Sequence, residues 1–227
     1  MDEIRLDIIN KIFENTCEVE NMDNKFGKVL TEKENEIRKF ILTTTPALGQ
    51  IPQKKEILAF INNLDEIELE YILKKLDDYD IIHLIDNNGT ISVAYPFSNF
   101  KTKHLINFSD DNYKSVFAMC AIDALGISFM LNKDIIINSE CFYSNEKIKI
   151  EIMNNKYISI NPQGTVVWYD MELSSCATDS QCQNLNFYSS KENCNSWKKI
   201  EKSRTGYLLN MNEALYLGSM CFKNRLN

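Results

Sequence analysis

The sequence predicts an α+β fold in which a helical N-terminal module precedes a domain built on a mostly antiparallel sheet. Three observations predict it. Apolar residues recur at helical spacing in the first part of the chain, short strand patterns fill the second part, and a segment between them is apolar on nearly every side. With 227 residues and 44% hydrophobic content, the chain can bury such a core. We predict two modules, residues 1–98 and residues 99–227.

The N-terminal module is predicted from apolar stripes at i, i+3, i+4 spacing. These stripes predict helices at about residues 2–13, 34–44, 54–62 and 65–79. Alternating apolar residues around Asn88-Gly89 then predict a hairpin. The last three of these helices and the hairpin make a winged helix, a topology that usually places its third helix, here residues 65–79, in the DNA major groove.

Charge argues against DNA as a partner of this module. Residues 65–80 contain seven acidic residues and two basic ones, Lys74 and Lys75, and the whole chain has a net charge of -7. Because DNA phosphates repel such a surface, we interpret the winged-helix-like module as structural and predict no nucleic-acid partner.

The N-terminus, the apolar segments and the cysteines predict the cellular compartment of the protein. The N-terminus lacks the features of a secretory signal, and the longest apolar stretch, residues 116–131, is too short to span a bilayer and is interrupted by Asp123. We therefore predict a cytoplasmic protein without a membrane partner. The seven cysteines form no C-x-x-C pair, so we interpret them as small apolar residues, soft-metal ligands or nucleophiles.

Residues 116–125 contain the first candidate site. The segment is apolar on almost every side and predicts a buried helix. Asp123 lies in it, and a buried carboxylate must be paired or must hold a proton. Cys120 lies three residues earlier, on the same face of the predicted helix, where the two groups could exchange a proton. An isolated C-x-x-D pattern is more often an ordinary buried cysteine near a satisfied acid.

The second module is predicted to be rich in strands. The expected strands cover about residues 134–138, 147–153, 157–160, 166–169 and 184–188, with a turn at Pro162-Gln163-Gly164. A last helix is predicted at about residues 212–223. Residues 95–111, which contain Pro96 and many polar residues, are predicted to form a linker between the modules.

Several segments resemble those of the alkylmercury (organomercurial) lyase family and occur in that family's order. They are Cys120-Ala121-Ile122-Asp123, Ser139-Glu140-Cys141, the Pro162-Gln163-Gly164 turn with Val166-Val167-Trp168, Cys182 before Asn184-Leu185-Asn186-Phe187-Tyr188-Ser189-Ser190, Trp197, and Asn212-Glu213-Ala214-Leu215-Tyr216-Leu217-Gly218. The resemblance covers about residues 110–226.

The resemblance implies an enzyme that cleaves carbon–mercury bonds by protonolysis, releasing a hydrocarbon and Hg(II). It implies a catalytic and mercury-binding trio of Cys120, Asp123 and Cys182, with Cys141 as a buried structural cysteine. No organic cofactor is implied. Hg(II) is the bound product, and cellular thiols or a mercuric reductase, the family's usual partner, would take it up. Thiolates are the ligands that a soft metal prefers, and a nearby acid can protonate the carbon.

The chain departs from the family just after Cys182. The family commonly has a second cysteine and histidines there, whereas this chain has Gln183, Asn184 and Asn186, which we interpret as tuning the packing. Cys176 is interpreted as an exposed loop cysteine, with a spare thiol as the alternative.

The remaining candidates receive less weight. The two histidines, His83 and His104, are predicted to be surface or packing residues rather than ligands, and the two tryptophans are predicted to pack the core. Cys17, Cys194 and Cys221 have no matching partners.

Two other functions stay open on the sequence. The first is a non-enzymatic protein that binds mercury or copper through the same thiols; Asp123 favours the enzyme, because a carrier has no use for a buried acid. The second is a thiol-sensing regulator that uses the winged helix, against which the acidic third helix argues.

Overall fold

The computed structural model describes residues 3–19, 22–86, 89–171, 182 and 184–227. The helices are α1 (Leu6–Val19), α2 (Met22–Lys25), α3 (Glu32–Leu48), α4 (Lys54–Phe60), α5 (Glu66–Asp78), α6 (Ala121–Leu131), α7 (Lys191–Ile200) and α8 (Met211–Phe222). The strands are β1 (Ile82–Leu84), β2 (Ile91–Ala94), β3 (Phe97–Ser98), β4 (His104–Phe108), β5 (Val116–Ala118), β6 (Ile135–Glu140), β7 (Lys147–Met153), β8 (Lys156–Asn161), β9 (Val166–Asp170), β10 (Asn186–Tyr188) and β11 (Gly206–Leu209).

The strands form two sheets. The larger has eight strands in the order β1-β2-β3-β5-β4-β6-β7-β8, and the smaller has three in the order β10-β9-β11. Every pairing between these strands is antiparallel. The predicted α+β fold with a mostly antiparallel sheet is therefore confirmed.

The first part of the chain is helical, as predicted. Helix α3 begins at a capping box in which Thr31 and Glu34 each accept a hydrogen bond from the other's backbone N–H. Helix α5 begins after Asp65, whose side chain accepts a hydrogen bond from the Glu68 N–H. The hairpin β1–β2 follows α5 and continues into the eight-stranded sheet, so strands from both predicted modules share one sheet.

Residues 95–111 do not form the predicted linker. Strands β3 and β4 lie there, and β4 pairs with β5 on one side and β6 on the other. In β4, His104 and Ile106 are buried while Leu105 between them is not, the alternation of a strand with one face in the core. The sequence does not predict these strands, because they are short and lie among many polar residues.

The predicted helix over residues 116–125 is a strand followed by a helix. Val116–Ala118 forms β5, and α6 begins only after Cys120. A continuous run of apolar residues shows neither helical nor strand periodicity, so it does not indicate where the strand ends and the helix begins. The β-branched Val116 and the aromatic Phe117 nevertheless favour a strand. Helix α6 is buried along most of its length, and Cys120 is its N-cap rather than a residue on its face.

The sequence patterns do not predict α7 or β11. Helix α7 begins after Ser190, whose hydroxyl accepts a hydrogen bond from the Asn193 N–H, and it buries Cys194 and Trp197. Strand β11 pairs with β9. The rings of Trp168 and Trp197 lie 5.6 Å apart and both are buried, so their predicted core packing is confirmed.

Helices α6 and α8 approach each other closely at two glycines. A Cβ on Gly126 of α6 would lie 2.1 Å from the Phe222 ring, and a Cβ on Gly218 of α8 would lie 3.3 Å from the Gly126 nitrogen. Glycine is therefore required where the helices cross, and this contact brings the end of α8 to the beginning of α6. Among the described residues, no helix is both long and apolar enough to cross a bilayer.

Candidate functional site

Two thiols and a carboxyl group meet at the N-terminal end of α6. The sulfurs of Cys120 and Cys182 and a carboxylate oxygen of Asp123 all lie within 4.8 Å of one another. All three side chains are buried. The structure therefore brings together the whole trio that the sequence resemblance implies, across a separation of 62 positions between the two cysteines.

The start of α6 holds Cys120 in place. Cys120 has extended backbone angles, φ -143° and ψ 179°, and its sulfur accepts a hydrogen bond of 3.4 Å from the Asp123 N–H. A helix N-terminus presents unpaired N–H groups and a partial positive charge, which favour an anion. The same backbone that orients the sulfur therefore favours its thiolate.

Backbone contacts hold the Cys182 segment against α6. The Ala121 N–H, the first of the helix, donates to the Leu185 carbonyl at 2.9 Å. Strand β10 follows directly and pairs with β9, and its Phe187 carbonyl accepts from the Phe142 N–H at 2.9 Å. These bonds fix the chain just after Cys182 relative to the residue just after Cys120.

Burial keeps the Cys120 sulfur protonated before a metal arrives. Burial raises the pKa of the Cys120 thiol, and a hydrogen bond with Cys182 and the charge of Asp123 raise it further. The Asp123 N–H lowers this pKa, but the net direction is well above the ordinary value of 9.0. A soft metal must therefore displace a proton when it binds.

A small cavity borders the cluster. Its volume is about 30 Å³, room for a water-sized group. Its remaining walls are mainly apolar and aromatic, contributed by Tyr95, Ile122, Tyr169, Leu185 and Phe222. Cys221 of α8 and Arg225, three residues beyond the end of α8, also line it. Neither is a predicted site residue, although Gly218 and Cys221 have the i, i+3 spacing of residues on one face of a helix.

Cys141 lies outside the cluster and is buried, as expected for the cysteine that follows β6. Its sulfur accepts a hydrogen bond of 3.4 Å from the Ser144 N–H. Burial favours a higher pKa for the Cys141 thiol, but hydrogen bonds from Ser144 and Ser189 outweigh burial and lower the pKa. Its role as a structural cysteine stays a prediction.

Neither histidine lies in the cluster. His104 is buried in β4, with its Nδ1 3.0 Å from the Ser139 hydroxyl and its ring against Phe187. Burial lowers the pKa of His104 to about 4, although a hydrogen bond with Asn186 works in the opposite direction. His83 lies in β1, with its Nε2 2.9 Å from the Tyr95 hydroxyl. Packing, one of the two roles predicted for His104, is confirmed.

Three positions named in the sequence analysis lie outside the described residues. They are Cys176, Gln183 and Asn88 of the predicted hairpin turn. Asn186 is buried in β10 and hydrogen-bonds His104, which agrees with its interpretation as a packing residue.

Two thiols beside a carboxyl group, buried at a helix N-terminus, are groups that could hold a soft metal next to a proton donor or acceptor. The family model of alkylmercury lyase matches residues 97–223, more than half of the chain. The chain belongs to the alkylmercury lyase family, which confirms the resemblance seen in the sequence.

Individual relatives agree with this assignment. Curated alkylmercury lyases of Bacillus cereus and Clostridium butyricum are each 25% identical to the chain over 155 residues, which is 67% of this chain and 66% of each relative. The crystal structure of the mercury-bound form of MerB2 has the same fold: its TM-score is 0.74 at 22% identity, and the match covers 92% of this chain and 98% of that one. The matched region spans just under two thirds of each curated relative, and neither alternative function is better supported by the comparisons.

Proposed function

We propose that the protein cleaves the carbon–mercury bond of organomercurials and releases a hydrocarbon and Hg(II). One observation carries the proposal: the sulfurs of Cys120 and Cys182 and the carboxyl of Asp123 lie within 4.8 Å of one another in a buried site. Two sulfurs can hold mercury while the carboxyl supplies a proton. Membership of the alkylmercury lyase family supports this activity.

The first stage is capture of the mercurial by the two thiols. As the first sulfur bonds to mercury, its proton leaves with the ligand that the mercurial brought. As the second sulfur bonds, its proton passes to the Asp123 carboxylate. Two S–H bonds are thereby exchanged for two Hg–S bonds, which a soft metal favours.

The second stage is transfer of that proton to carbon. The carbon–mercury bond breaks, and its electron pair forms the new C–H bond with the proton from Asp123. The products are a hydrocarbon and Hg(II) held by Cys120 and Cys182, and nothing is oxidised or reduced. Asp123 suits the donor role because burial disfavours a charged carboxyl and so favours transfer of a proton to it from a thiol.

The same chemistry determines what else the reaction requires and where its product goes. No organic cofactor is needed, because the chemistry uses only thiols and one carboxyl. Small cellular thiols, or a mercuric reductase, would then remove Hg(II), and we propose that this happens in the cytoplasm. Cys141 would serve as the structural cysteine.

We propose a structural role for α3–α5 and the β1–β2 hairpin, as a winged-helix-like module. Several acids of α5 form ion pairs within the protein, among them Glu68 with Lys33 and Glu70 with Lys54. Such a surface repels nucleic acid. The division of the chain near residue 98 belongs to this proposal.

The direct test is hydrocarbon release. Purified protein is incubated with an aryl mercurial and excess small thiol, and hydrocarbon and Hg(II) are quantified. We expect stoichiometric release by the wild type and none by Cys120→Ser or Cys182→Ser. Cys194→Ser is the matched control, because Cys194 is a buried thiol on α7 outside the cavity, and it should release hydrocarbon normally. A wild-type protein that binds mercury but releases no hydrocarbon would refute the proposal.

A further inference from the structure

Helix α8 brings a third thiol to the wall of the cavity. Cys221 lines it together with Cys120 and Cys182 and is 6% exposed. The close contact at Gly126 and Gly218 explains this position, since Cys221 follows Gly218 by nearly one turn on the same face of α8. The side chain is therefore directed towards the beginning of α6.

Cys221 is not one of the three residues whose ligand atoms lie within 4.8 Å of one another. It stands farther from the cluster, in the wall of the same cavity. A thiol at this position suits a step that follows cleavage better than cleavage itself, because Hg(II) must leave the two catalytic sulfurs before another substrate can bind.

Arg225 places a buried cation in the same wall, one turn beyond Cys221. It is 4% exposed, its Nε donates to the Cys221 carbonyl at 3.0 Å, and its Nη1 donates to the Tyr95 carbonyl at 3.4 Å. Its guanidinium lies 4.0 Å from the centre of the Phe222 ring. These contacts hold a positive charge in the wall of the cavity that the three thiols line.

A second buried arginine adds to the positive charge of this region. Arg38 Nη2 donates to the Arg225 carbonyl at 2.7 Å. Burial, and then repulsion from Arg225, lower the pKa of Arg38 to about 10, which still leaves Arg38 charged at neutral pH. A region of this kind favours an anion in the cavity.

We propose that Cys221 becomes a third sulfur ligand of the product Hg(II), with Arg225 as the counter-cation. The proposal rests on the proposed function, in which Hg(II) is the product. One Hg(II) and three thiolates form a complex of net charge minus one, and a neighbouring guanidinium stabilises that charge.

The step is balanced in atoms and electrons. The third Hg–S bond forms as the Cys221 proton leaves to a base in the solvent, and no electron is transferred. One of the two original Hg–S bonds then breaks and its sulfur takes up a proton. Hg(II) thereby moves from the two catalytic sulfurs towards α8.

The test is the number of sulfurs around Hg(II). Protein freed of small thiols is loaded with one equivalent of Hg(II), and X-ray absorption gives the sulfur number and the mean Hg–S distance. We expect three sulfurs in the wild type and in the control Cys194→Ala. Cys221→Ala should give two sulfurs at a shorter mean distance, and Arg225→Met should reduce the fraction of the three-sulfur form. Transfer of Hg(II) to an added thiol should be several-fold slower in Cys221→Ala.

The wild-type spectrum can refute the proposal even if a variant does not fold. Two sulfurs in the wild type, with or without an added oxygen ligand, would overturn it, as would three sulfurs in Cys221→Ala. Its failure can be told from failure of the proposed function. Hydrocarbon release with a two-sulfur product removes only the role of Cys221, whereas a three-sulfur complex without hydrocarbon release removes only the lyase.

Discussion

Cys120 is both the N-cap of α6 and, in the proposed function, one of the two sulfurs that bind mercury. Its sulfur caps α6 by accepting the Asp123 N–H, and it lies within 4.8 Å of the other two members of the trio. Serine is among the best N-cap residues, whereas alanine cannot accept this bond.

We therefore predict that Cys120→Ser removes mercury binding without loss of stability, while Cys120→Ala is less stable than Cys120→Ser by about 1 kcal/mol. Urea unfolding of both variants measures the difference. Equal stability of the two variants would show that the cap contributes nothing, and an unfolded Cys120→Ser protein would make its loss of activity uninformative about chemistry.

His104 makes a second residue-level prediction, on acid stability. Its pKa is about 4 in the folded protein against 6.5 for an ordinary histidine, mainly because of burial. As the pH falls below 6.5, the unfolded chain gains a proton that the folded protein does not accept until about pH 4, so stability decreases across this window. At pH 4.5 the wild type should have lost about 2–3 kcal/mol through this group.

The comparison variant is His104→Asn, which cannot titrate. Urea unfolding at pH 7 and pH 4.5 should show a smaller loss on acidification in the variant than in the wild type, with carboxyl groups contributing equally to both. The same loss in both proteins would mean that His104 takes up its proton equally in the folded and unfolded states.

Residue types and their order were enough to predict the trio, but not its geometry. Cys120, Asp123 and Cys182 follow from the resemblance to the alkylmercury lyases. The capping role of Cys120 does not, because the apolar run around it has no period that separates strand from helix. Cys221 also escaped prediction, since its importance depends on where α8 crosses α6.

At the level of the elements, the crossing of α6 and α8 leaves no room for a side chain at Gly126. A Cβ on Gly126 would lie 2.1 Å from the Phe222 ring, whereas a Cβ on Gly164 would have its nearest neighbour at 3.5 Å, an ordinary contact. We predict that Gly126→Ala destabilises the protein by about 1–3 kcal/mol, the usual effect of overpacking a core.

Gly164→Ala is the matched control and should be close to wild type in thermal unfolding. Because Gly126 positions the helix that carries Cys221, Gly126→Ala should also lower the sulfur number around bound Hg(II). Wild-type stability in Gly126→Ala would show that the helices can separate at little cost.

The strands that the sequence patterns miss are short, whereas the ten-residue α7 is missed because it buries only Cys194 and Trp197 and so has no extended apolar stripe. Strand β3 has two residues and β11 has four, too few for an alternating pattern to be distinctive. Long periodic helices such as α5 were located to within a residue or two, because their apolar stripes extend over several turns.

For the molecule as a whole, contacts between distant parts of the chain join α1 to the C-terminal helix. Arg5 Nε lies 2.6 Å from a carboxylate oxygen of Glu213, a fully buried residue that also belongs to the capping box of α8. Burial favours a higher pKa for Glu213, but hydrogen bonds from Arg5 and Asn210 outweigh burial and lower it. Its charge therefore stabilises the fold above the pKa of an unfolded glutamate, and this stability is lost as the pH falls.

We predict that Arg5→Met lowers the free energy of unfolding at pH 7 by about 1–2 kcal/mol, less than for a fully buried pair because Arg5 is about half exposed. The control is Lys28→Met, which breaks an ion pair exposed on both sides and should have little effect. Urea unfolding compares them, and an equal effect of the two changes would contradict the role given to burial.

The site itself is a property of the whole molecule. Cys120 comes from the junction of β5 and α6, Cys182 precedes β10 of the smaller sheet, and Cys221 lies on α8. No spacing in the sequence could predict that sulfurs 62 positions apart lie within 4.8 Å. The hydrogen bond from the Ala121 N–H to the Leu185 carbonyl and the packing of α8 on α6 bring these three cysteines to one cavity.

The proton donor is the feature that separates a lyase from a mercury carrier, and a single-turnover experiment with Asp123→Asn tests it most directly. Wild type and variant are mixed with one equivalent of an aryl mercurial, and released hydrocarbon and protein-bound mercury are measured over time. We predict that Asp123→Asn binds mercury with its carbon still attached and releases hydrocarbon ~10²–10⁴-fold more slowly, the usual contribution of a general acid. Release at the wild-type rate by Asp123→Asn would contradict the role of Asp123 as the acid.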